Sequence, residues 1–302
     1  MERIHVSVMT KEILEALRVH PGGVYADMTF GEGGHTEALI DAGAGQVVSV
    51  DRDIEAVKRY LESGRLKDDP RLKLIHGRMS DFATEPGELF DGIVVDLGVS
   101  TRQLLEGRRG FSFNETGPLD MRMDPTSGQT LLEMLSNISE RELTEGLERN
   151  ANLPGAKRLA ARLLNMVEKG QLQTTADLAY VMGPKRGPRH PATALFMALR
   201  MMVNDELGEV ERGLTGLVDR LKPLGRLAVL TFHSNEDRVT KNVFKRLAGR
   251  CVCVDPPCHC HPQKRIEWLN KKPLEASREE LRANPRSRSA KLRCVEKVPS
   301  AE

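Results

Sequence analysis

The stretch YADMTFGEGGHTEALIDAG, Tyr25 to Gly43, reads as a strand that enters a glycine-rich turn and leaves as a helix. In an open α/β sheet this first turn lies beyond the carboxyl end of the strand, where backbone N–H groups are free to face a ligand. Gly31, Gly33 and Gly34 permit close backbone approach there. The pattern G-x-G-G-H falls short of the G-x-G-x-x-G of dinucleotide enzymes. The turn therefore poses a question: does it hold a pyrophosphate, one phosphate, or a ligand with neither?

Outward from this turn, short apolar β-branched runs alternate with helical patterns. The runs are GVYADMTF (23–30), QVVSVDRD (46–53), LKLIHG (72–77), FDGIVVDLG (90–98) and GRLAVLTFHS (225–234). HTEALIDAG, IEAVKRYLESG and a long pattern from about Thr193 to Leu221 separate them. This alternation predicts a doubly wound α/β fold, with a mostly parallel sheet covered on both faces. It breaks between Ser100 and His190, where a loop-like segment precedes several helical stretches. The expected organisation is a discontinuous core, residues 1–100 and 191–302 with a basic C-terminal tail, and an inserted helical substrate domain, residues 101–190.

The second strand ends in Asp51, twenty residues beyond Gly31. An acidic side chain there can accept hydrogen bonds from both ribose hydroxyls, in NAD and S-adenosylmethionine sites alike. The fourth strand ends in Asp96, a second carboxylate at the same sheet edge. Like charges repel, so a pyrophosphate has little use for it. S-adenosylmethionine is a sulfonium cation with an α-amino group, and acidic groups such as Asp27 and Asp96 suit it. The turn is thus expected to hold a phosphate-free nucleoside. The competing reading is that Asp27 and Asp96 cap loops.

The chain has 302 residues, 39% hydrophobic and 29% charged, with a net charge of +2. No apolar run is long enough to span a bilayer, and MERIHVSVMT lacks the layout of a signal peptide. The crowding of Cys251, Cys253, Cys258 and Cys260 is not a disulfide framework, and a cytoplasmic setting is expected. The charge is uneven. Residues 236–298 hold 16 Lys/Arg against 8 Asp/Glu, whereas residues 1–235 hold 29 against 34. A basic C-terminal quarter suits either a polyanionic partner or a solvated surface.

Six longer stretches are more specific: TFGEGGHT, DLGVSTRQL, RGFSFNETGPLDMRMDP, HPATALFMALRMMVNDELGEVERGL, TFHSNEDRVTK and NPRSRSAKLR. In this order, from about His5 to Lys297, they closely resemble the bacterial small-subunit ribosomal RNA methyltransferase H, or MraW-type, family. The resemblance implies a class I S-adenosylmethionine-dependent methyltransferase fold and methyl transfer to the exocyclic N4 of a decoding-centre cytidine in 16S rRNA. It implies cofactor contacts at Gly33, Gly34, His35, Asp51, Asp96 and Gln103, with Met79 in place of the family's usual aromatic. Two departures fall on the substrate side. NANLPGAKRLA lacks two acidic residues that the family commonly has there, and Asn235 in FHSNEDR replaces an apolar residue. They keep open a divergent methyltransferase acting on another cytidine, and a non-catalytic RNA-binding assembly factor. An NAD-dependent oxidoreductase is the rival on the same sheet.

A cytosine N4 amine is a poor nucleophile, so the site must hold it in line with the methyl and draw on its N–H protons. The candidate acceptors are Asp96, a backbone carbonyl around Leu97–Gly98, and Asp120. His233, past the fifth strand, either positions the substrate or caps the strand end. Phe111 and Phe113 either stack on bases or pack the inserted loop. Arg108, Arg109 and Arg122, with Arg286, Arg288, Lys291 and Arg293, are candidate phosphate contacts. The four clustered cysteines can close a tetrahedral, structural zinc site; the alternative is a metal-free or redox-sensitive loop. The oligomeric state is open.

Overall fold

Along the central strands apolar side chains point alternately to two buried faces, and each face has its own layer of helices. The structure is a computed structural model that describes residues 7–185, 187, 190–253 and 260–299. It divides into two units, residues 1–98 with 207–302, and residues 99–206.

The first unit is built on eight strands: β1 (Val24–Asp27), β2 (Gln46–Asp51), β3 (Leu72–His76), β4 (Phe90–Asp96), β5 (Leu221–Thr231), β6 (Ile266–Trp268), β7 (Leu274–Glu275) and β8 (Lys291–Lys297). They lie in the order β3-β2-β1-β4-β5-β8-β6, with β7 also paired to β8. The pairs among β1 to β5 are parallel, and β8 runs antiparallel to β5. Ala26, Val48, Ile93, Val95, Leu227 and Val229 face one apolar layer, which includes Leu214 and Phe244. Tyr25, Val47, Val94, Ala228 and Leu230 face the other, with Ile13, Leu17 and Leu39. Burial on both faces is what lets β1, β2, β4 and β5 be recognised as continuous apolar runs, while the edge strand β3 is only partly buried.

The expected basic tail is a strand of this sheet. Arg293 is buried, and Asp237 of the helix Ser234–Leu247 accepts from its Nε and Nη2 at 2.7 and 3.1 Å. Arg226 on β5 donates to Glu296 on β8 at 2.9 Å. A bidentate pair satisfies a guanidinium that would otherwise be costly to bury. Arg293 is therefore a sheet residue and not a phosphate contact.

The second unit is helical around its own core, in which Leu131, Leu143, Leu147, Ala160, Leu163, Leu178, Leu195 and Leu199 are fully buried. Its helices start with strong local signals. Thr130, Ser139 and Thr174 each accept from the backbone N–H three residues on, in reciprocal capping boxes. The helix Ala192–Val203 belongs to this unit, because its apolar face fills the same core. The sequence places that helix in the methyltransferase-type core, since nothing in its amphipathic pattern tells which core it fills.

Candidate functional site

The strand order reverses between β1 and β4, so the crevice for a ligand opens beyond their carboxyl ends. Carboxylates stand at the ends of three adjacent strands there: Asp51 on β2, Asp27 on β1 and Asp96 on β4.

The glycine turn is set by left-handed backbone. Gly33 has φ +82°, and a Cβ on it would lie 2.7 Å from the Tyr60 ring. At Gly34 a Cβ would meet the Ser7 hydroxyl at only 1.9 Å. No larger residue fits either position without movement. The turn is fastened to β2, because the Gly31 N–H donates to Asp51 Oδ2 at 2.6 Å. Asp51 Oδ1 accepts from the Asp53 N–H at 2.7 Å. Burial raises the Asp51 carboxyl to about 6 against these lowering hydrogen bonds.

Asp27 and Asp96 have different surroundings. Asp27 is wholly buried, with Oδ1 accepting from the Thr29 N–H at 3.1 Å and Oδ2 from the Thr36 hydroxyl at 2.9 Å. Burial raises its pKa. It fastens β1 to the helix Gly34–Asp41. Asp96 Oδ2 lies 3.3 Å from His35 Nε2, while Oδ1 is buried with no partner among the described residues. Nδ1 of His35 is in the same condition. Burial opposes protonation of His35, but the hydrogen bond and charge of Asp96 outweigh it and raise its pKa. The pair presents a held carboxylate with one oxygen available.

Over nearly its whole length, residues 2–298, the chain matches the model of the MraW methylase family. It belongs to that family. A ribosomal RNA small subunit methyltransferase H of Pelobacter propionicus is 43% identical, over 97% of this chain and 98% of that protein. The protein of the same name from Heliobacterium mobile is 38% identical, over 99% and 100%. An rRNA methylase structure from Streptococcus thermophilus superposes with a TM-score of 0.45 at 12% identity, covering 98% of this chain and 99% of its own.

The β3-β2-β1-β4-β5 parallel order with an antiparallel strand beyond β5 is the class I S-adenosylmethionine-dependent methyltransferase fold. Membership of a methylase family sets aside the nicotinamide reading. The residues present suit an S-adenosyl group. A carboxylate ends β2 in the position for ribose hydroxyls, the glycine turn has no room for side chains, and a buried carboxylate oxygen at β4 has no donor among the described residues.

Other residues of the MraW-type motifs are placed less openly. Met79 is buried against Gly213, where its methyl would lie 2.5 Å from an added Cβ. It fills the core beneath the helix Glu206–Leu217 and is not laid out as an adenine platform. His233 is the N-cap of the helix Ser234–Leu247, its Nδ1 accepting from the Glu236 N–H at 3.4 Å. In the same helix Asn235 accepts from Arg238 at 3.3 Å. In the second unit, Gln103 is buried and completes a capping box with Ser100. Asp120 gives both oxygens to Arg122, each at 2.8 Å. Arg109 is 4% exposed and donates to the carbonyls of Arg122 and Met123 at 3.1 and 2.9 Å, so it braces the loop from inside and meets no phosphate. Phe111 is buried under its guanidinium, which rules out base stacking in this arrangement. Phe113 packs on His190 and Phe196, with ring centroids 4.9 and 5.0 Å away. Arg108 is exposed beside Glu106, and Arg286 and Arg288 are exposed on the turn before β8. Cys251, Cys253 and Cys260 are exposed, and Cys258 lies outside the described residues.

One residue escapes the motif reading. Asn204, buried at the end of the helix Ala192–Val203, accepts from the Met123 N–H and donates to the Met121 and Arg200 carbonyls, all at 2.8 Å. Met121 between these anchors has φ +61°, an uncommon conformation for a non-glycine residue that costs on the order of 1–3 kcal/mol. Asn204 thus clamps the LDMRMD loop. An asparagine inside an apolar helix pattern is the only local signal of it. The departure NANLPG forms the turn between the helices Glu140–Ala151 and Ala156–Glu168, with Asn152 and Gly155 in left-handed conformation.

Proposed function

We propose that this protein transfers a methyl group from S-adenosylmethionine to the exocyclic N4 of a cytidine in the decoding centre of 16S rRNA, within the small ribosomal subunit. The observation that carries the proposal is the buried Oδ1 of Asp96 at the end of β4, without a partner among the described residues, in a chain whose relatives are ribosomal RNA small subunit methyltransferases. The cofactor supplies an electrophilic methyl on a sulfonium, so this chain must hold the nucleoside and activate the amine. Asp51 receives the ribose hydroxyls, and the glycine turn admits the cofactor's backbone-facing edge. Asp96 accepts an N–H of the amine through Oδ1, while His35 keeps Oδ2 in place. That contact draws the lone pair out of the ring and onto nitrogen; as the N–C bond formed and the S–C bond broke, the thioether would leave neutral and the proton shed by the amine would pass to Asp96. Asp120 is engaged with Arg122, which favours Asp96 as the acceptor. Arg108, Arg286 and Arg288 are the exposed cations offered to phosphate.

The test uses purified protein, labelled cofactor and small subunits from a strain lacking this enzyme, followed by nucleoside mass spectrometry. N4-methylcytidine at one position is expected. Cofactor binding with no label on RNA would sink the proposal.

The elevated pKa of Asp51 gives a pH prediction. The ionised carboxylate is the hydroxyl acceptor, and it is lost as pH falls through about 6. Between pH 7 and pH 5 the ionised fraction drops about tenfold, and cofactor affinity is expected to weaken by about the same factor. His35, whose pKa Asp96 raises, is a second titrating group of the site, so Asp51→Asn serves as the control. Calorimetric titration should show the variant weaker at pH 7 and nearly flat from pH 7 to 5.

A further inference from the structure

Outside the methyl-transfer site, the densest group of reactive side chains is in the loop after the helix Ser234–Leu247. Sequence and backbone bring its ends together: Ala248 and Lys264 form an antiparallel bridge, and the Arg265 N–H donates to the Leu247 carbonyl at 2.7 Å. The loop thus leaves and returns at one place, carrying Cys251 and Cys253 on one arm and Cys260 on the other.

Their sulfur atoms converge. All three lie within 4.8 Å of one another, and Cys253 Sγ is 3.7 Å from Cys260 Sγ. A tetrahedral zinc with Zn–S bonds of about 2.3 Å sets its sulfur ligands about 3.8 Å apart. A disulfide needs about 2.05 Å. The separation, which a thiol–thiol hydrogen bond also spans, leaves room for an ion between the sulfurs and is too long for a disulfide. All three cysteines are exposed, so among the described residues of the loop it is not an apolar core that gathers their sulfurs. The Cys253 N–H also donates to Cys251 Sγ, at 3.4 Å, which turns that sulfur toward the other two.

We propose that Cys251, Cys253 and Cys260 form a structural site for a thiophilic divalent cation, zinc in the cell, that staples this loop. Each thiol yields its proton to solvent as the metal binds, and three thiolates leave a fourth position for one further donor. The site takes no part in methyl transfer. It ties Cys260 to Cys251 and Cys253, and the hairpin-like return at Ala248 and Lys264 positions it.

The full-length chain, reduced and stripped with chelator, is titrated anaerobically with zinc, desalted and analysed for metal. About one zinc per chain is expected for the wild type and for Cys294→Ala, and less than about 0.2 for Cys253→Ala/Cys260→Ala. Cys294 is the internal control, since it is buried in β8 and burial pushes its thiol up to about 12. Cobalt substitution should give the near-ultraviolet charge-transfer absorption of metal–thiolate bonds. A second readout does not depend on the variants folding. In the wild type, zinc should slow iodoacetamide labelling of Cys251, Cys253 and Cys260 at least about tenfold, read by peptide mass spectrometry. Equal labelling with and without zinc, or a Cys253–Cys260 disulfide in freshly reduced protein, would overturn the proposal. Neither readout uses methyl transfer, so this inference and the proposed function stand or fall separately.

Discussion

Asp96→Asn is expected to lower kcat for methyl transfer by about 10²–10⁴, the range for removing a positioned proton acceptor. The variant keeps the shape of the side chain and the fold around it. Its cost arises because an amide is a weak acceptor, and because turning the amide nitrogen toward the substrate amine sets donor against donor. The His35 contact constrains the choice, since Nε2 must still find a partner at the Oδ2 position, 3.3 Å away. Cofactor affinity should fall far less, by up to about tenfold, as suits the loss of one hydrogen bond. Single-turnover kinetics with calorimetric cofactor binding separates the two. Equal losses in both would make Asp96 a binding residue only and return the acceptor role to the second unit.

Asn204→Leu is the second large effect. The substitution is close in volume, yet it strips the Met123 N–H of its acceptor and the Met121 carbonyl of its donor, both next to a strained, fully buried residue. Two buried groups left unsatisfied cost about 1–3 kcal/mol each. The strain at Met121 is then no longer held, and the loop bearing Asp120 and Arg122 relaxes. Limited proteolysis should open the chain near Met121–Met123, and RNA methylation should drop sharply. Cofactor affinity is expected to stay near the wild-type value, because Asp51, the glycine turn and Asp96 all belong to the other unit. Unchanged proteolysis would show that the clamp does not hold the loop.

The parallel strands β1, β2, β4 and β5 are legible in the sequence because each is buried on both faces and bounded by a turn, and the half-exposed edge strand β3 is legible from its alternation with the helices around it. The carboxylates at their ends are legible for the same reason. β8 is not. Its run KLRCVEK carries Lys291, Arg293, Glu296 and Lys297, and reads as a solvated tail until Asp237 and Arg226 are seen to face it. Those partners lie 56 and 70 residues away, beyond any local pattern. Arg109 misleads likewise: a charged residue in a loop suggests solvent, and only the fold shows that backbone carbonyls enclose it. Met79 and Phe111 are apolar residues near motif positions, and their burial depends on packing that composition does not specify.

The place of β8 also bears on the order in which the molecule can be completed as it is made. β5 is eleven residues long and largely apolar, and one of its two edges is closed only by residues 291–297. Until residues 291–297 leave the ribosome, a nascent chain holds four parallel partners and a long open edge, the kind of surface that recruits other strands. The helical unit has its whole sequence available some ninety residues earlier and can settle first. A stop codon just before Lys291 should therefore yield an aggregating product in which residues 99–206 alone resist protease, although β1 to β5 have all been synthesised.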